Sequence, residues 1–103
     1  MARYSRLQVY DAMLSTGLVP LFYHDKTDTA QEIVKAVSAG GARVLEFTNR
    51  GEKALSVFSH LNTFIEDARL PIILGVGSVI DAPTAALYIA HGANFIVGPL
   101  FNP

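Results

Sequence analysis

The sequence predicts an α/β fold built from parallel strand–helix units. Short apolar runs alternate along its 103 residues with segments whose apolar positions have helical spacing. The runs recur every ~20–30 residues, a spacing that strand–helix units with short loops produce and that implies a parallel sheet. Half of the residues (50%) are hydrophobic and 17% are charged. This composition is too apolar for a disordered chain and suits one domain with a modest core.

Residues 5–16 are predicted to form the first helix, and a strand follows it directly. The apolar positions of this helix are Leu7, Tyr10, Met13 and Leu14. Gly17 is the expected stop, because glycine adopts the left-handed conformation that ends many helices. Residues 18–23 form a continuous apolar run, which is typical of a strand covered on both faces. Pro20 lies near its start, where a ladder donor is least needed.

The second unit runs from a capped helix to the most informative strand of the chain. Asp28 or Thr29 is the predicted cap, and the helix is expected to stop at Gly40 and Gly41. Residues 43–47 are then predicted to form a strand.

Two further units complete the pattern. A helix is expected to open at Gly51, and residues 72–75 are predicted to form the third strand. Asp81 is the expected cap of the last helix, which has Pro83 in its first turn, where proline is favoured. Residues 94–97 are predicted to form the fourth strand.

Four units are half of an eight-unit barrel. Parallel units with right-handed crossovers either close into such a barrel or remain an open, doubly wound sheet. No charged or polar residues protect either predicted edge of the sheet, although exposed edges usually need such protection. We therefore expect residues 1–103 to form the N-terminal half of a single TIM (β/α)8 barrel domain, or a piece that pairs with a partner.

Charge and cysteine content exclude several classes of function. The formal net charge is −1, and Lys and Arg are scattered singly, which predicts no nucleic-acid partner and no membrane partner. Cysteine is absent, so neither a disulfide framework nor a thiolate metal site is expected. No apolar run approaches the ~20 residues of a membrane-spanning helix. We expect a cytoplasmic protein.

Charged and hydroxyl side chains cluster at two predicted strand exits. Glu46 and Arg50 close the run 43–47, and Ser78 follows the Gly-Val-Gly of residues 75–77. Because strand exits are where side chains of different units meet a ligand, these residues predict an anion-binding site beside a proton-transfer group. Two alternatives stay open, namely that Glu46 forms an ion pair with Arg43 or Arg50, and that Ser78 is a turn or cap residue.

No metal and no cofactor are predicted. His24, Asp25 and Glu46 carry nitrogen and oxygen ligands, but adjacent residues of an extended chain point to opposite faces. His24 and Asp25 are therefore not expected to share one metal ion. Gly75 and Gly77 lack the third glycine of a dinucleotide-binding fingerprint.

From about Gly17 to Pro103 the sequence resembles the class I aldolases of 2-keto-3-deoxy-6-phosphogluconate (KDPG) and 4-hydroxy-2-oxoglutarate (KHG). The segments that carry this resemblance are residues 18–20, 39–50, 75–79 and 91–99. The resemblance implies a (β/α)8 barrel, commonly trimeric, that cleaves a 2-keto-4-hydroxy acid into pyruvate and an aldehyde through a lysine Schiff base. The substrate is then a small keto acid, phosphorylated or not.

The resemblance also implies roles for three residues. Glu46 is expected to act as the acid/base, Arg50 to bind the pyruvate carboxylate, and Ser78, where the family usually has threonine, to assist Arg50. In the family the Schiff-base lysine lies on a later strand, and none of Lys26, Lys35 and Lys53 occupies an equivalent position. We therefore expect the 103-residue chain alone to be inactive. The alternative is a non-catalytic half-barrel that self-associates.

Overall fold

A computed structural model describes residues 2–101 and confirms the α/β class, with four helices and three parallel strands in that range. Met1, Asn102 and Pro103, which the predicted domain 1–103 includes, lie outside the described residues. The strands lie in the order β1-β2-β3. In chain order the elements are α1 (Arg6–Thr16), β1 (Leu21–Phe22), α2 (Thr27–Ala39), β2 (Val44–Thr48), α3 (Ala54–Asp67), β3 (Ile73–Gly77) and α4 (Ala82–Ala90).

The predicted ends of α1 and the start of α4 are confirmed. Ser5 and Gln8 form a reciprocal capping box at the start of α1, which satisfies two backbone N–H groups that the helix leaves free. Gly17 ends α1 in the left-handed conformation, with φ of 67°. Asp81 caps α4 by accepting a hydrogen bond from the backbone N–H of Thr84 at 2.8 Å.

The predicted starts of α2 and α3 are wrong by a few residues. α2 begins after Lys26, so Asp28 lies inside the first turn rather than at the cap. An aspartate is stabilised there by the positive end of the helix dipole. α3 begins at Ala54, because Gly51 has φ of 91° and belongs to a turn that precedes the helix.

The first strand is shorter than predicted and is not covered on both faces. Only Leu21 and Phe22 pair with β2. Leu21 is 63% exposed and Leu18 is exposed as well. Pro20 has no N–H to donate; its carbonyl accepts a hydrogen bond from the Glu46 backbone N–H at 2.9 Å. The strand is therefore a short edge strand.

The predicted fourth strand, residues 94–97, is reduced to a single bridge between Ile96 and Val76. The segment does run beside β3 in the parallel direction, because Val76 donates to the Phe95 carbonyl and Val97 donates to the Val76 carbonyl. Regular pairing stops there, because the chain continues as Gly98 and Pro99, and proline has no N–H to donate.

The sheet has two different faces. Alternation along β2 and β3 turns large apolar residues to one side, which we call the outward face: Leu45, Phe47, Leu74 and Val76. These side chains pack with those of α2, α3 and α4 in the main core. The opposite side, which we call the inward face, carries Val44, Glu46, Thr48, Ile73, Gly75 and Gly77.

α1 covers the amino-terminal end of the inward face. Its buried residues Val9 and Ala12 share a small core with Val44 and Ile73. Asn94 ties the segment before α1 to the sheet, since its amide donates to the Leu74 carbonyl and its side-chain oxygen accepts from backbone N–H groups of residues 3 and 4. None of the helices within residues 2–101 is long and apolar enough to span a membrane.

Candidate active site

Glu46 lies inside β2 rather than at its exit, which corrects the position predicted from the sequence. The strand continues to Thr48, so Glu46 lies one pleat repeat, about 7 Å, below the strand end. The residue as a whole is 8% exposed. Within residues 2–101 it accepts no hydrogen bond and forms no ion pair with Arg43, Arg50 or any other cation. The alternative of a structural ion pair is therefore wrong.

Gly77 of β3 makes room for this carboxyl group. Glu46 is in register with Gly75, and its carboxylate lies against the next inward-facing position, Gly77. A methyl group at Gly77 would overlap Oε2 of Glu46. The ring of Phe95 covers Gly75, where an added Cβ would come within 2.5 Å of three ring atoms. The carboxyl group therefore rests on the bare backbone of Gly77, and the Phe95 ring fills the space over Gly75.

Burial alters the acidity of this group. Removal from water raises the pKa of the Glu46 carboxyl, since no cation and no donor compensates the cost of the charged form. A carboxyl with a raised pKa exchanges protons closer to neutral pH, which suits a general acid/base. The arrangement on the inward face is therefore chemically competent for proton transfer.

Arg50 and Ser78 lie at the carboxyl ends of neighbouring strands. The backbone N–H of Asn49 extends the pairing of β2 with β3 by donating to the Gly77 carbonyl at 2.9 Å, which brings the two exits side by side. The Arg50 guanidinium is exposed and, within residues 2–101, makes no hydrogen bond or ion pair. Ser78 is exposed and is not the cap of α4, because Asp81 has that role.

Ser78 has an unusual backbone conformation. Its φ of 60° is in the left-handed region, which side chains other than glycine adopt at a cost. The turn directly follows Gly77, so the chain leaves β3 abruptly after the glycine that contacts Glu46. Backbone strain of this kind concentrates at functional sites, where the surrounding structure holds it in place.

Sequence reasoning missed Asn49 and Tyr88, which form a polar contact behind the site. Tyr88 is 2% exposed, and its hydroxyl donates to Oδ1 of Asn49 at 2.7 Å. Burial and the nearby Tyr23 raise the pKa of Tyr88 to about 12, so the hydroxyl keeps its proton. The alternation of side chains along β2 gave one indication, since Asn49 is a polar residue at a position equivalent to the apolar Leu45 and Phe47.

Within residues 2–101, neither the lysines nor the histidine–aspartate pair forms an ion pair with Glu46. Lys26 and Lys53 are exposed at helix starts, and Lys35 pairs with Glu32 on α2 at 3.4 Å. Nδ1 of His24 lies 3.6 Å from Asp25 Oδ1, so the expectation that these side chains point apart is wrong, because the chain turns there. Even so, residues 2–101 hold no group of three His, Cys, Asp or Glu side chains arranged for a metal ion.

A parallel sheet with a buried carboxyl below its strand exits defines an α/β protein with an enzyme-like site. Comparison with known proteins narrows the class. The family model of KDPG and KHG aldolases matches residues 9–103, and this chain belongs to that family. The 2-dehydro-3-deoxy-phosphogluconate aldolase of Pseudoalteromonas atlantica is 37% identical over 89 residues. The KHG/KDPG aldolase of Escherichia coli is 33% identical over 90 residues.

A solved structure agrees with this assignment. The KDPG aldolase of Legionella pneumophila, crystallised with pyruvate captured as a covalent carbinolamine, matches with a TM-score of 0.72 and 27% identity, over 82% of this chain and 39% of that one. The two sequence matches cover 86% of this chain. The chain spans only 40% of the length of those two relatives.

Proposed function

We propose that this chain supplies the acid/base half of a Schiff-base aldolase, a carbon–carbon lyase that cleaves KDPG or a related 2-keto-4-hydroxy acid into pyruvate and an aldehyde. One observation carries the proposal: Glu46 is 8% exposed, and its carboxyl group has no hydrogen bond and no ion pair within residues 2–101, while its oxygens still reach solvent. Partial burial of such a group without a protein partner costs stability, so its retention favours a chemical role.

In this proposal Glu46 moves protons while the keto group condenses with a lysine amine and while the carbon–carbon bond breaks. Burial raises the pKa of the Glu46 carboxyl toward neutral pH, which favours proton transfer in both directions. Proton transfer by a positioned side chain typically contributes ~10²–10⁴ in rate.

Arg50 and Ser78 are proposed to bind the carboxylate of the pyruvate moiety. A guanidinium matches a carboxylate with two parallel hydrogen bonds, and Arg50 has no partner within residues 2–101 that would compete. The Ser78 hydroxyl lies at the adjacent strand exit and adds one donor. Glu46, deeper on the same face, then lies below the bound carboxylate, toward the reacting carbons.

The amine is proposed to come from outside these 103 residues. A lysine nucleophile needs desolvation or a nearby cation to lower its pKa. Lys26 and Lys53 are exposed, and Lys35 pairs with Glu32. We therefore propose that four further β/α units complete a TIM barrel with the lysine, that the isolated chain is inactive, and that the complete protein is a cytoplasmic trimer.

Borohydride trapping with pyruvate tests the chemistry. The isolated chain should gain no adduct by mass spectrometry. When the chain is co-expressed with the remaining segment of the Pseudoalteromonas atlantica relative, the complex should carry one reduced pyruvate adduct. That adduct should be on the relative's segment. An adduct on the isolated chain would contradict the inactivity proposal, and a folded complex without adduct would contradict the aldolase proposal.

Steady-state cleavage by that complex tests the residue roles. Glu46→Gln keeps the shape of the side chain and removes its proton transfer, so kcat should fall by ~10²-fold or more with little change in KM. Arg50→Ala should mainly raise KM. Unchanged cleavage in both variants would show that the assigned site is wrong.

A second candidate is a half-barrel whose property is self-association. Exposed apolar side chains at both open edges of the sheet favour it: Leu18 and Leu21 beside β1, and Ile80, Val97, Leu100 and Phe101 beyond β3. Ile80, Leu100 and Phe101 border a groove of about 760 Å³. Burial of apolar surface is worth about 25 cal/mol per Å², so these edges favour association.

Analytical ultracentrifugation of the 103-residue chain tests this candidate. Dimers or larger species are expected, and the paired substitutions Leu100→Ser and Phe101→Ser should weaken them. Exchange of the polar residues Asp11→Ser and Glu52→Ser is the matched control. A monomer at all concentrations would contradict self-association.

A further inference from the structure

The loop between β2 and α3 is held by a hydrogen bond that the proposed chemistry does not use. Tyr88, near the end of α4, donates its hydroxyl proton to Oδ1 of Asn49 at 2.7 Å across 39 residues of sequence. Asn49 directly precedes Arg50, the proposed carboxylate-binding residue. The contact therefore joins a helix on the outward face to the loop that forms the site.

Packing orients the Tyr88 ring independently of this hydrogen bond. The ring of Tyr88 packs edge to face on Phe58, with centroids 5.1 Å apart, and is 2% exposed. This packing and burial restrict the ring, and its hydroxyl points at the loop. A pKa of about 12 keeps its proton available as a donor at every physiological pH.

The acceptor is held at a second point. The backbone N–H of Asn49 donates to the Gly77 carbonyl at 2.9 Å, so the strand-like alternation of β2 continues for one more residue. Since Asn49 faces outward toward Tyr88, alternation directs the next residue, Arg50, to the side of Glu46. Beyond it, Gly51 turns the chain with φ of 91°, and the Tyr23 hydroxyl lies 3.4 Å from the position of an added Cβ.

We propose that Tyr88, acting through Asn49, is a positioning residue for Arg50. The hydrogen bond keeps Asn49 turned outward and thereby keeps the Arg50 guanidinium on the inward side, at the mouth above Glu46. The claim that Arg50 binds a carboxylate rests on the proposed function, whereas the geometry of the loop is independent of it. The consequence is that a residue on the far side of the sheet sets affinity for the substrate carboxylate.

NMR amide exchange on the 103-residue chain tests this proposal with three variants: Tyr88→Phe, Asn49→Ala and the double substitution. Tyr88→Phe should speed exchange of the residue 49 amide by about tenfold, the factor expected for loss of one ordinary hydrogen bond, and should increase motion of the Arg50 amide. The Glu46 and Ile73 amides, which bond inside the sheet, should keep their rates. Tyr10→Phe, an exposed tyrosine, is the matched control and should change nothing.

Two results would overturn the proposal. One is an equal change at residue 49, Glu46 and Ile73, because that describes general destabilisation. The other is a full tenfold effect of Tyr88→Phe when Asn49 is already alanine, because the two groups would then act separately. If Tyr88→Phe does not fold, Asn49→Ala leaves the ring in place and tests the same local change.

Pyruvate titration of the same samples separates this proposal from the proposed function. A shift of the Arg50 signals with pyruvate that weakens severalfold in Tyr88→Phe supports both. Absence of any pyruvate shift, with the local exchange effect intact, counts against carboxylate binding by Arg50 and supports the positioning contact. Pyruvate binding that is equal in the parent and in Tyr88→Phe overturns the positioning role.

Discussion

The two faces of one sheet differ by a single step along the chain. Outward-facing Phe47 packs against Phe22 and Tyr23 with ring centroids 5.3 and 5.6 Å away, and it is fully buried. Its inward-facing neighbour Glu46 has a charged group and rests on glycine backbone. Since each strand contributes residues to both faces, stability and chemistry are separated by the two-residue period of a strand. The outward face holds the sheet together, and the inward face can therefore keep a group that the core would reject.

The largest expected effect lies on the outward face. Phe47→Ala should lower the free energy of unfolding by about 3–5 kcal/mol, because it removes the centre of the aromatic cluster and leaves a cavity. Urea denaturation followed by circular dichroism measures the change. Thr48→Ala, the next residue along the strand, is the control and should cost far less. Equal losses of unfolding free energy would mean that both faces of the sheet contribute equally to stability.

The next largest effect is expected on the inward face at Gly75 of β3, where the Phe95 ring packs on the backbone. Gly75→Ala should cost about 1–3 kcal/mol, because the new methyl group overlaps the Phe95 ring. Gly40→Ala is the matched control, since Gly40 has φ of −75° and only ordinary contacts at 3.5 Å. That control should be neutral or slightly stabilising. A Gly75 variant as stable as the Gly40 variant would refute the close packing.

A smaller effect depends on pH and belongs to Glu46. Its folded pKa is raised, so the folded state binds more protons than the unfolded state between the ordinary and the raised pKa. The contribution of Glu46 to stability should therefore fall as pH rises through that window and stay lower above it. Glu46→Gln should remove this loss and unfold at higher urea than the parent at pH 7, with little difference at pH 3.

Urea titrations at a series of pH values measure this dependence. Glu52→Gln, which changes an exposed carboxyl in the turn before α3, is the matched control and should follow the parent. If Glu46→Gln instead lost stability relative to the parent as pH rises through the same window, Glu46 would have to gain a partner on folding. The lowered pKa of Asp81 affects the parent and the variant alike and cancels in this comparison.

The smallest expected effect is at the exit of β3. Ser78→Gly should stabilise the chain by up to about 1 kcal/mol, because glycine adopts φ of 60° without the clash of a Cβ. Ser78→Ala removes the hydroxyl and keeps the clash, so it should leave stability within about 0.5 kcal/mol of the parent. Thermal unfolding of the two variants distinguishes backbone strain from loss of the hydroxyl.

Local signals in the sequence were sufficient for much of the fold. Helix stops and caps such as Gly17 and Asp81 were predictable, because they depend on residues a few positions apart. Strand ends were not predictable from such signals, because they depend on the residues that lie opposite in the neighbouring strand. Thr48 extends β2 because Gly77 lies opposite, and Pro20 cannot donate where β1 was expected to begin. Because the predicted strand ended at residue 47, one residue before its observed end, Glu46 was placed too close to the strand exit.

For the site, the sequence identified residue types but not their surroundings. Glu46, Arg50 and Ser78 were predictable as candidates, since charged and hydroxyl groups followed apolar runs. The absence of an ion pair at Glu46 required coordinates. The contact of Tyr88 with Asn49 spans 39 residues, and no local pattern connects a tyrosine on one helix with an amide in a distant loop.

The placement of α1 gives the inward face a direction. Because α1 packs on Val44 and Ile73, it covers the amino-terminal end of this face. The exposed residues Arg50 and Ser78 lie at the opposite end, beyond the carboxyl ends of β2 and β3. A ligand held by those two residues therefore lies on the uncovered side of Glu46, away from α1.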